Sequence, residues 1–262
     1  MLQVVGWNAY SLRHKLSDLT VFVSSSLADI IFVFEPWFDQ AFSSVSLLGF
    51  TSYAYPNRND HSGILILVRS SIIHSIVSLV PSFSDDQFAS SSMFRCLQVR
   101  MPGVPTPILV GGFYAAPGCS SADWKLLFGL LPAGCQRSVP FFLVSDANAH
   151  HTDWGCASCN RAGNLLSAYT ENEDLTVLNM VFTHGQPTHS SSSVIDLGFT
   201  NAPSLVRSFT VHGVHTLPSD HSPISITISP RDNSVHQSAT PSPHIRWDLE
   251  HADSGPHFLC IL

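Results

Sequence analysis

Nine short runs within the first 230 residues constrain this chain more than any other feature it has. They cover residues 2–7, 30–34, 64–68, 72–79, 94–99, 108–113, 141–144, 194–199 and 222–228. Each is of strand length, rich in β-branched and aromatic residues, and bounded by Gly, Pro, Asn, Asp or Ser. Several are apolar at nearly every position, the pattern of strands covered on both faces. Helical periodicity is scarcer. Residues 11–27 carry Leu12, Leu16, Leu19, Val23 and Leu27 at helical spacing, and 123–131 and 164–173 are weaker cases. There is no internal repeat. Many strands and few helices predict an α/β layered domain in which packed sheets are flanked by helices.

The domain is expected to span residues 1–229. From about Pro230 the composition turns rich in Ser and Pro with no period, so 230–243 reads as a linker. Residues 244–262 read as a tail, the start of a truncated downstream region. No apolar run approaches the roughly 18–20 residues of a membrane helix, and no secretory signal is visible, so a soluble chain is expected. Twelve Lys and Arg stand against 19 Asp and Glu, a net charge of −7 with His neutral. That balance argues against a tight non-specific grip on a nucleic-acid backbone. A polyanionic substrate would have to be held locally or through metal ions, although 14 His would move the charge upward below pH 7. Six cysteines in a chain this long do not make a disulfide framework, and reduced thiols of an intracellular protein are the simpler reading.

The chemistry is carried by where the runs end. The first stops at Asn8, the second at Glu35, the sixth at Tyr114, and the seventh at Ser145-Asp146-Ala147-Asn148. Asp196 lies in the eighth, and Ser219-Asp220-His221 leads into the last. Taken singly, Asn, Asp and Ser at strand ends are ordinary turn residues. Glu35 and Tyr114 are not turn formers, and an Asp-His pair directly before a buried strand is costly unless partnered. If alternating strand directions bring these residues to one edge, the carboxylates and amides there call for a hard cation. Oxygen-ligated Mg²⁺ is the natural choice.

Trp7-Asn8 with Ser11-Leu12, Glu35, Tyr114 with Pro117, Ser145-Asp146-Ala147-Asn148-Ala149-His150, Ser193-Val194-Ile195-Asp196-Leu197 and Ser219-Asp220-His221-Ser222-Pro223-Ile224 together resemble the endonuclease/exonuclease/phosphatase family. The Asp-x-Asn-Ala-His-His form, followed by Trp154-Gly155, resembles the apurinic-like endonuclease domain of LINE-type non-LTR retrotransposons. The resemblance covers about residues 2–228. A short match at Arg246-Trp247-Asp248-Leu249 resembles the segment preceding the reverse transcriptase in such elements.

The resemblance implies a DNase I-like, four-layer α-β-β-α sandwich of two mixed sheets, hydrolysing phosphodiester bonds with Mg²⁺ or Mn²⁺. Carried over, Glu35 is the main metal ligand, supported by Asn8 and Asp220. Asp146 orients or deprotonates the attacking water, Asn148 bonds that water or a phosphate oxygen, and Tyr114 donates to the scissile phosphate. His221 stabilises the phosphorane, and Asp196 fixes its tautomer. The implied partners are DNA as a transient substrate and a reverse transcriptase region in a longer parent polypeptide, with no membrane and a nuclear location. The chain departs from the family at Ser145, Ala147 and Pro36-Trp37.

Other readings remain open at this point. The same chemistry could serve a phosphoinositide or another lipid, or the chain could be an inactive retroelement remnant used as an interaction domain. Cys156-x-x-Cys159 lacks a second pair and reads as a loop rather than a zinc site. His74, His184, His189, His212 and His215 read as scattered surface or core residues, and Trp37 and Phe38 as packing more than nucleic-acid contacts.

Overall fold

The structure, a computed structural model, describes residues 1–37, 45–56, 62–77, 92–131, 138–213 and 216–230. Within them the apolar runs pair into two six-stranded sheets. The first contains β1 (Leu2–Asn8), β2 (Ile30–Phe34), β3 (Phe50–Pro56), β4 (Gly63–Arg69), β11 (Val206–Val211) and β12 (Ile224–Ile228), in the order β11-β12-β1-β2-β4-β3. The second contains β5 (His74–Ile76), β6 (Ser92–Val99), β7 (Ile108–Ala115), β8 (Phe141–Asp146), β9 (Thr176–Val177) and β10 (Asp196–Thr200), in the order β5-β6-β7-β8-β10-β9.

Each sheet has one parallel pair at its centre, β1 with β2 and β7 with β8, and antiparallel neighbours elsewhere. A parallel pair needs a crossover. Helix α1 (Leu16–Ser25) lies between β1 and β2 in the chain, and α2 (Ser121–Leu130) between β7 and β8. The helices α3 (Arg161–Asn172) and α4 (Leu178–Phe182) follow β8 and β9.

Strands apolar at every position are explained by the three buried layers they separate. Val4, Phe32 and Ile66 of the first sheet meet Leu97, Val110, Phe142 and Val144 of the second in the central core. On the outer face of the first sheet, Val5, Trp7, Ile31 and Val33 pack with Leu19, Phe22 and Val23 of α1. On the outer face of the second, Phe94, Phe113 and Leu143 pack with Trp124 and Leu127 of α2 and Leu166 of α3. The order is helix, sheet, sheet, helix, as expected from the sequence.

Several elements differ from the sequence reading. The expected helix 11–27 starts only at Leu16, because residues 9–12 instead bond to the chain after β2: Ala9, Ser11 and Leu12 donate to the carbonyls of Phe34, Glu35 and Pro36. Tyr10, Ser11 and His14 take positive φ there, which no helix allows. Of the expected strand 72–79, His74–Ile76 forms β5, and residues from 78 lie outside the described ones. β3, β9, β11 and α4 were not anticipated. β3 is a half-exposed edge strand in which polar and aromatic residues mix, and α4 is five residues long. Helices α2 and α3 begin earlier than their apolar spacing indicated, since each is capped: Ser120 and Asp123 form a capping box, and Asn160 accepts from Gly163 N–H. Apart from Pro230, the expected linker and tail lie outside the described residues, as does Phe38. None of the described helices is long and apolar enough to cross a membrane.

Candidate active site

Strand direction decides which ends meet. The parallel pairs β1–β2 and β7–β8 carry their C-terminal ends to one edge of each sheet, delivering Asn8 beside Phe34–Glu35 and Tyr114 opposite Asp146. The antiparallel partners begin where these strands end. β10 opens with Asp196 opposite Asp146, and β12 pairs Ile224 with Gly6, so Ser219–Ser222 lead in beside Asn8. Groups 200 residues apart in sequence therefore share one edge of the sandwich.

Asn8 joins the two sheets. Its Nδ2 donates to Glu35 Oε1 at 3.0 Å and to Asp146 Oδ2 at 2.7 Å, while its Oδ1 accepts from Tyr10 N–H at 2.8 Å. Asn8 and Asp146 are 2% and 0% exposed, so Asp146 meets this amide out of water, while the bond to Glu35 is half-buried. The second oxygen of Asp146 accepts from Asn148 Nδ2 at 3.1 Å and Asn148 N–H at 3.3 Å, and Asn148 also donates to Ala115 O at 3.1 Å. Glu35 and Asn148 both hold positive φ, a strained arrangement for a residue with a Cβ. It is common where a side chain must be aimed rather than packed.

Beside this amide bridge stands a buried pair. His221 donates from Nδ1 to both oxygens of Asp196, at 3.0 and 2.9 Å, which leaves Nε2 outside that pair. Burial opposes the charge on His221, but Asp196 beside and bonded to it, with Asp146 and Asp220, outweighs burial and lifts the imidazole to about 10. His221 is therefore an imidazolium at neutral pH. Asp146 is also raised, which for a carboxylate works against its charge: burial, helped by Asp196 and Glu35 and opposed by His221 and Asn8, lifts it to about 7. Burial and the Glu35 carboxylate, which accepts its hydroxyl, raise Tyr114 far above the ordinary phenol range, so it remains a donor.

Asp220 lies on the open side. It is depressed despite burial, because His221, a backbone hydrogen bond and His189 favour its charge. His189 had read as a scattered histidine, yet its ring meets His221 edge-on at 4.7 Å. Ser191 N–H donates to its Nδ1, so Nε2 carries the proton towards Asp220 Oδ2 at 3.3 Å.

Asn8, Glu35, Tyr114, Asp146, Asn148, Asp196, Asp220 and His221, the candidate site residues read from the sequence, all lie along this edge, whereas His215 lies outside the described residues. Three supports were not anticipated. Buried Thr188 accepts the N–H groups of Ile195 and Asp196 at 3.0 Å each, fixing the start of β10. Buried Asn179 donates to Asp196 O and accepts from Gly198 N–H, clamping the same strand. Asn160 donates to Asn148 O, accepts from His150 N–H and caps α3, tying the Asp146–His150 loop to a helix. A polar residue with no charge and no regular spacing gives no sequence signal for such work. The loop cysteines are not a metal pair: Cys156 Sγ faces Val194 O, and Cys159 Sγ faces Thr152.

The donor set suits a hard divalent cation. Glu35 and Asp146 share one amide N–H₂ between them, a place where a cation would satisfy both, and turning the Asn8 amide would add its oxygen. Ser219 Oγ bonds both Asn8 O and Asp220 Oδ1, which brings a third carboxylate to the same rim. Asp146, Asp196 and His221 also place ligand atoms within 4.8 Å of one another. Asp196, however, has both oxygens on the His221 N–H, so that group is a hydrogen-bonded pair rather than a ligand set.

Comparison with known proteins agrees with the fold. The family described as endonuclease-reverse transcriptase matches residues 108–225. The RNA-directed DNA polymerase from mobile element jockey of Drosophila funebris is 25% identical over 228 residues, 83% of this chain and 23% of that protein. The chain thus spans about a quarter of that relative's length. Among solved structures, the endonuclease domain of TRAS1, a telomere-specific non-LTR retrotransposon, superposes with a TM-score of 0.69 at 17% identity, covering 87% of this chain and 98% of that one. The Xenopus laevis APE2 catalytic domain gives 0.67 at 16% identity, covering 87% and 92%. The resemblance read from the sequence and the DNase I-like four-layer fold are both borne out.

Proposed function

We propose that this chain, which has the endonuclease/exonuclease/phosphatase fold and resembles the endonuclease domain of non-LTR retrotransposons, is a divalent-metal-dependent endonuclease that nicks DNA. The observation that carries the reading is the single amide of Asn8 holding Glu35 and Asp146 together across the two sheets, beside an imidazolium locked on Asp196.

In-line hydrolysis of a phosphodiester needs an oriented water, neutralisation of the phosphate oxygens and protonation of the leaving oxygen. Asp146, raised to about 7 and held by Asn8 and Asn148, is poised to take a proton from water near neutral pH. Asn148 orients that carboxylate and lines the water's position. His221 presents its Nε2–H to the phosphate, and its charge opposes the negative charge that builds in the transition state. Tyr114, kept protonated, donates to a phosphate oxygen or to Glu35. Glu35 would hold Mg²⁺ or Mn²⁺ with Asn8 and Asp220 in support, and the bound ion would neutralise non-bridging oxygens and polarise phosphorus. The leaving oxygen takes its proton from solvent as it departs, the proton accepted by Asp146 returns to solvent, and the remaining roles fall to the side chains already named. A DNA target implies a nuclear site of action, and the jockey relative implies a reverse transcriptase region in a longer parent polypeptide.

The test is plasmid nicking with Mg²⁺, run beside Asp146→Asn and His221→Gln. Each substitution removes a proton-transfer or charge-stabilising group, for which a loss of about 10²–10⁴-fold is expected. Variants that nick as fast as the wild-type chain, or a wild-type chain that is inert towards DNA, would overturn the reading.

A further inference from the structure

The rim of the site carries an aromatic pair for which the proposed chemistry has no use. Tyr10 is 57% exposed and meets the Trp37 ring edge-on, with centroids 5.0 Å apart. The two residues follow the site groups Asn8 and Glu35 by two positions each, on adjacent loops bonded to one another through Ser11 N–H and Glu35 O. Tyr10 and Trp37 both hold positive φ, at 43° and 56°. The turn that aims Tyr10 outward is closed by Asn8 Oδ1, the other end of the amide that bridges the site carboxylates. The platform and the site are therefore oriented by one side chain.

Its surroundings supply the charge that most of this acidic chain lacks. Arg13 and His14 are exposed on the same loop, and Lys15 Nζ donates to Ala9 O at 2.6 Å and Tyr10 O at 3.1 Å. An exposed aromatic face flanked by cations, next to a site for a phosphodiester, fits one class of partner: a nucleic-acid strand, its base on the ring and its phosphates on the cations. A lipid headgroup would use the cations and leave the ring without a role.

We infer that Tyr10, backed by Trp37 and flanked by Arg13 and Lys15, is a stacking platform that receives an unstacked base of the nucleic-acid substrate beside the scissile phosphate. The inference rests on the phosphodiesterase reading and adds a substrate feature to it: the site takes a strand with a base that can leave the stack. A nucleotide already unpaired is favoured because unstacking there costs least.

The test measures binding and turnover separately. In EDTA, where no cleavage is expected, a short single-stranded DNA carrying 2-aminopurine is titrated with the wild-type chain, Tyr10→Ala and Tyr10→Phe. Stacking predicts quenching of the probe by the wild-type chain. It also predicts binding weakened about 5- to 100-fold in Tyr10→Ala and near-normal binding in Tyr10→Phe, the range known for one base on one aromatic ring. With Mg²⁺, the loss of kcat/KM in Tyr10→Ala should be larger for the oligonucleotide than for bis(4-nitrophenyl) phosphate, which has no base to stack. Equal binding by the wild-type chain and Tyr10→Ala, equal weakening in Tyr10→Phe, or no binding by the wild-type chain would each overturn the platform. Failure of the wild-type chain to hydrolyse either diester would overturn the phosphodiesterase reading and leave the binding result to decide the platform.

Discussion

Substituting Gly6 should damage catalysis by a route that no contact with substrate explains. Gly6 lies on the inner face of β1, where a Cβ would come to 2.8 Å from Val144 Cβ and 3.0 Å from Val144 Cγ2 in the opposite sheet. Ordinary contact begins near 3.5 Å, so Gly6→Ala forces β1 and β8 apart by about 0.5–1 Å. Both strands run on two residues to the site, to Asn8 and Asp146, whose hydrogen bond is 2.7 Å long. Opened by that amount, the bond stretches to the edge of hydrogen-bond range, and a misplacement of about 1 Å costs on the order of 10²-fold in rate. Overpacking also costs about 1–3 kcal/mol of stability, or roughly 2–12 °C in melting temperature for a domain of this size. Gly111→Ala is the control. Its Cβ would come to 2.8 Å from Leu143 Cδ2 and from Phe94 Cε2, on the outer face under the helices, so it carries a similar stability loss without opening the gap between the sheets. Nicking rates measured well below both melting transitions should fall about 10- to 100-fold in Gly6→Ala and far less in Gly111→Ala. Equal rates in the two variants would refute the argument that close approach of the sheets sets the site.

Three further outcomes follow from the same geometry. Asp196→Asn removes the carboxylate that lifts His221 to about 10, so kcat should drop about 10²-fold or more. The surviving activity should decline as pH rises through neutrality, whereas the wild-type pH–rate profile stays high until the imidazolium is lost far above it. Asn160→Ala deletes the cap of α3 and the anchor of Asn148, which should cost about 1–2 kcal/mol in urea denaturation and a reduction in kcat with little change in KM. Burial holds His212 below its ordinary value of 6.5, so the unfolded chain takes up that proton more readily than the folded one. The stability it contributes is present above about pH 6.5 and lost as pH falls further. His212→Asn should flatten the fall in urea midpoint between about pH 7.5 and 5.5, and an unchanged slope would show that other histidines cause it.

Strand ends were legible because they carry two signals at once. An apolar run stopping at Glu35 or Tyr114 violates turn chemistry, and the order of the runs allows parallel and antiparallel partners to bring those stops together. Glu35, Asp146 and His221 are legible that way, and the layered fold with them, whereas Asp196 lies inside an expected run and takes its role from the family resemblance. What stayed illegible depends on long-range pairing. Residues 11–15 have helical spacing, yet the loop after β2 claims the N–H groups of Ser11 and Leu12, and Tyr10, Ser11 and His14 take positive φ. Thr188, Asn179 and Asn160 are neutral polar residues whose role comes only from the strand or loop they bond. Gly6 looks like a weak point in a strand, and only the opposite sheet explains it. His189 is one of 14 histidines until its backbone pairs with that of His221.

The acidic balance of the chain becomes intelligible at the site itself. Asp220 has Lys15 near it to offset its charge, but Glu35, Asp146 and Asp196 face one imidazolium, leaving two negative charges when all are ionised. That deficit equals the charge of one divalent ion, and the Asn8 amide, which donates without carrying charge, offsets it only in part. Binding of Mg²⁺ should therefore stabilise the folded chain by about 2.7 kcal/mol at a concentration 100-fold above Kd, a rise of roughly 5–10 °C in melting temperature. Glu35→Gln removes one of the two charges at the centre of the site. Without metal it should melt at or above the wild-type temperature, because carboxylate repulsion is relieved; with Mg²⁺ most of the increment should vanish. Calorimetric melting with and without Mg²⁺ reads both effects independently of any nuclease assay. An equal Mg²⁺ increment in Glu35→Gln and the wild-type chain would mean that the ion binds elsewhere, and that the carboxylates at this edge are balanced by something other than a metal.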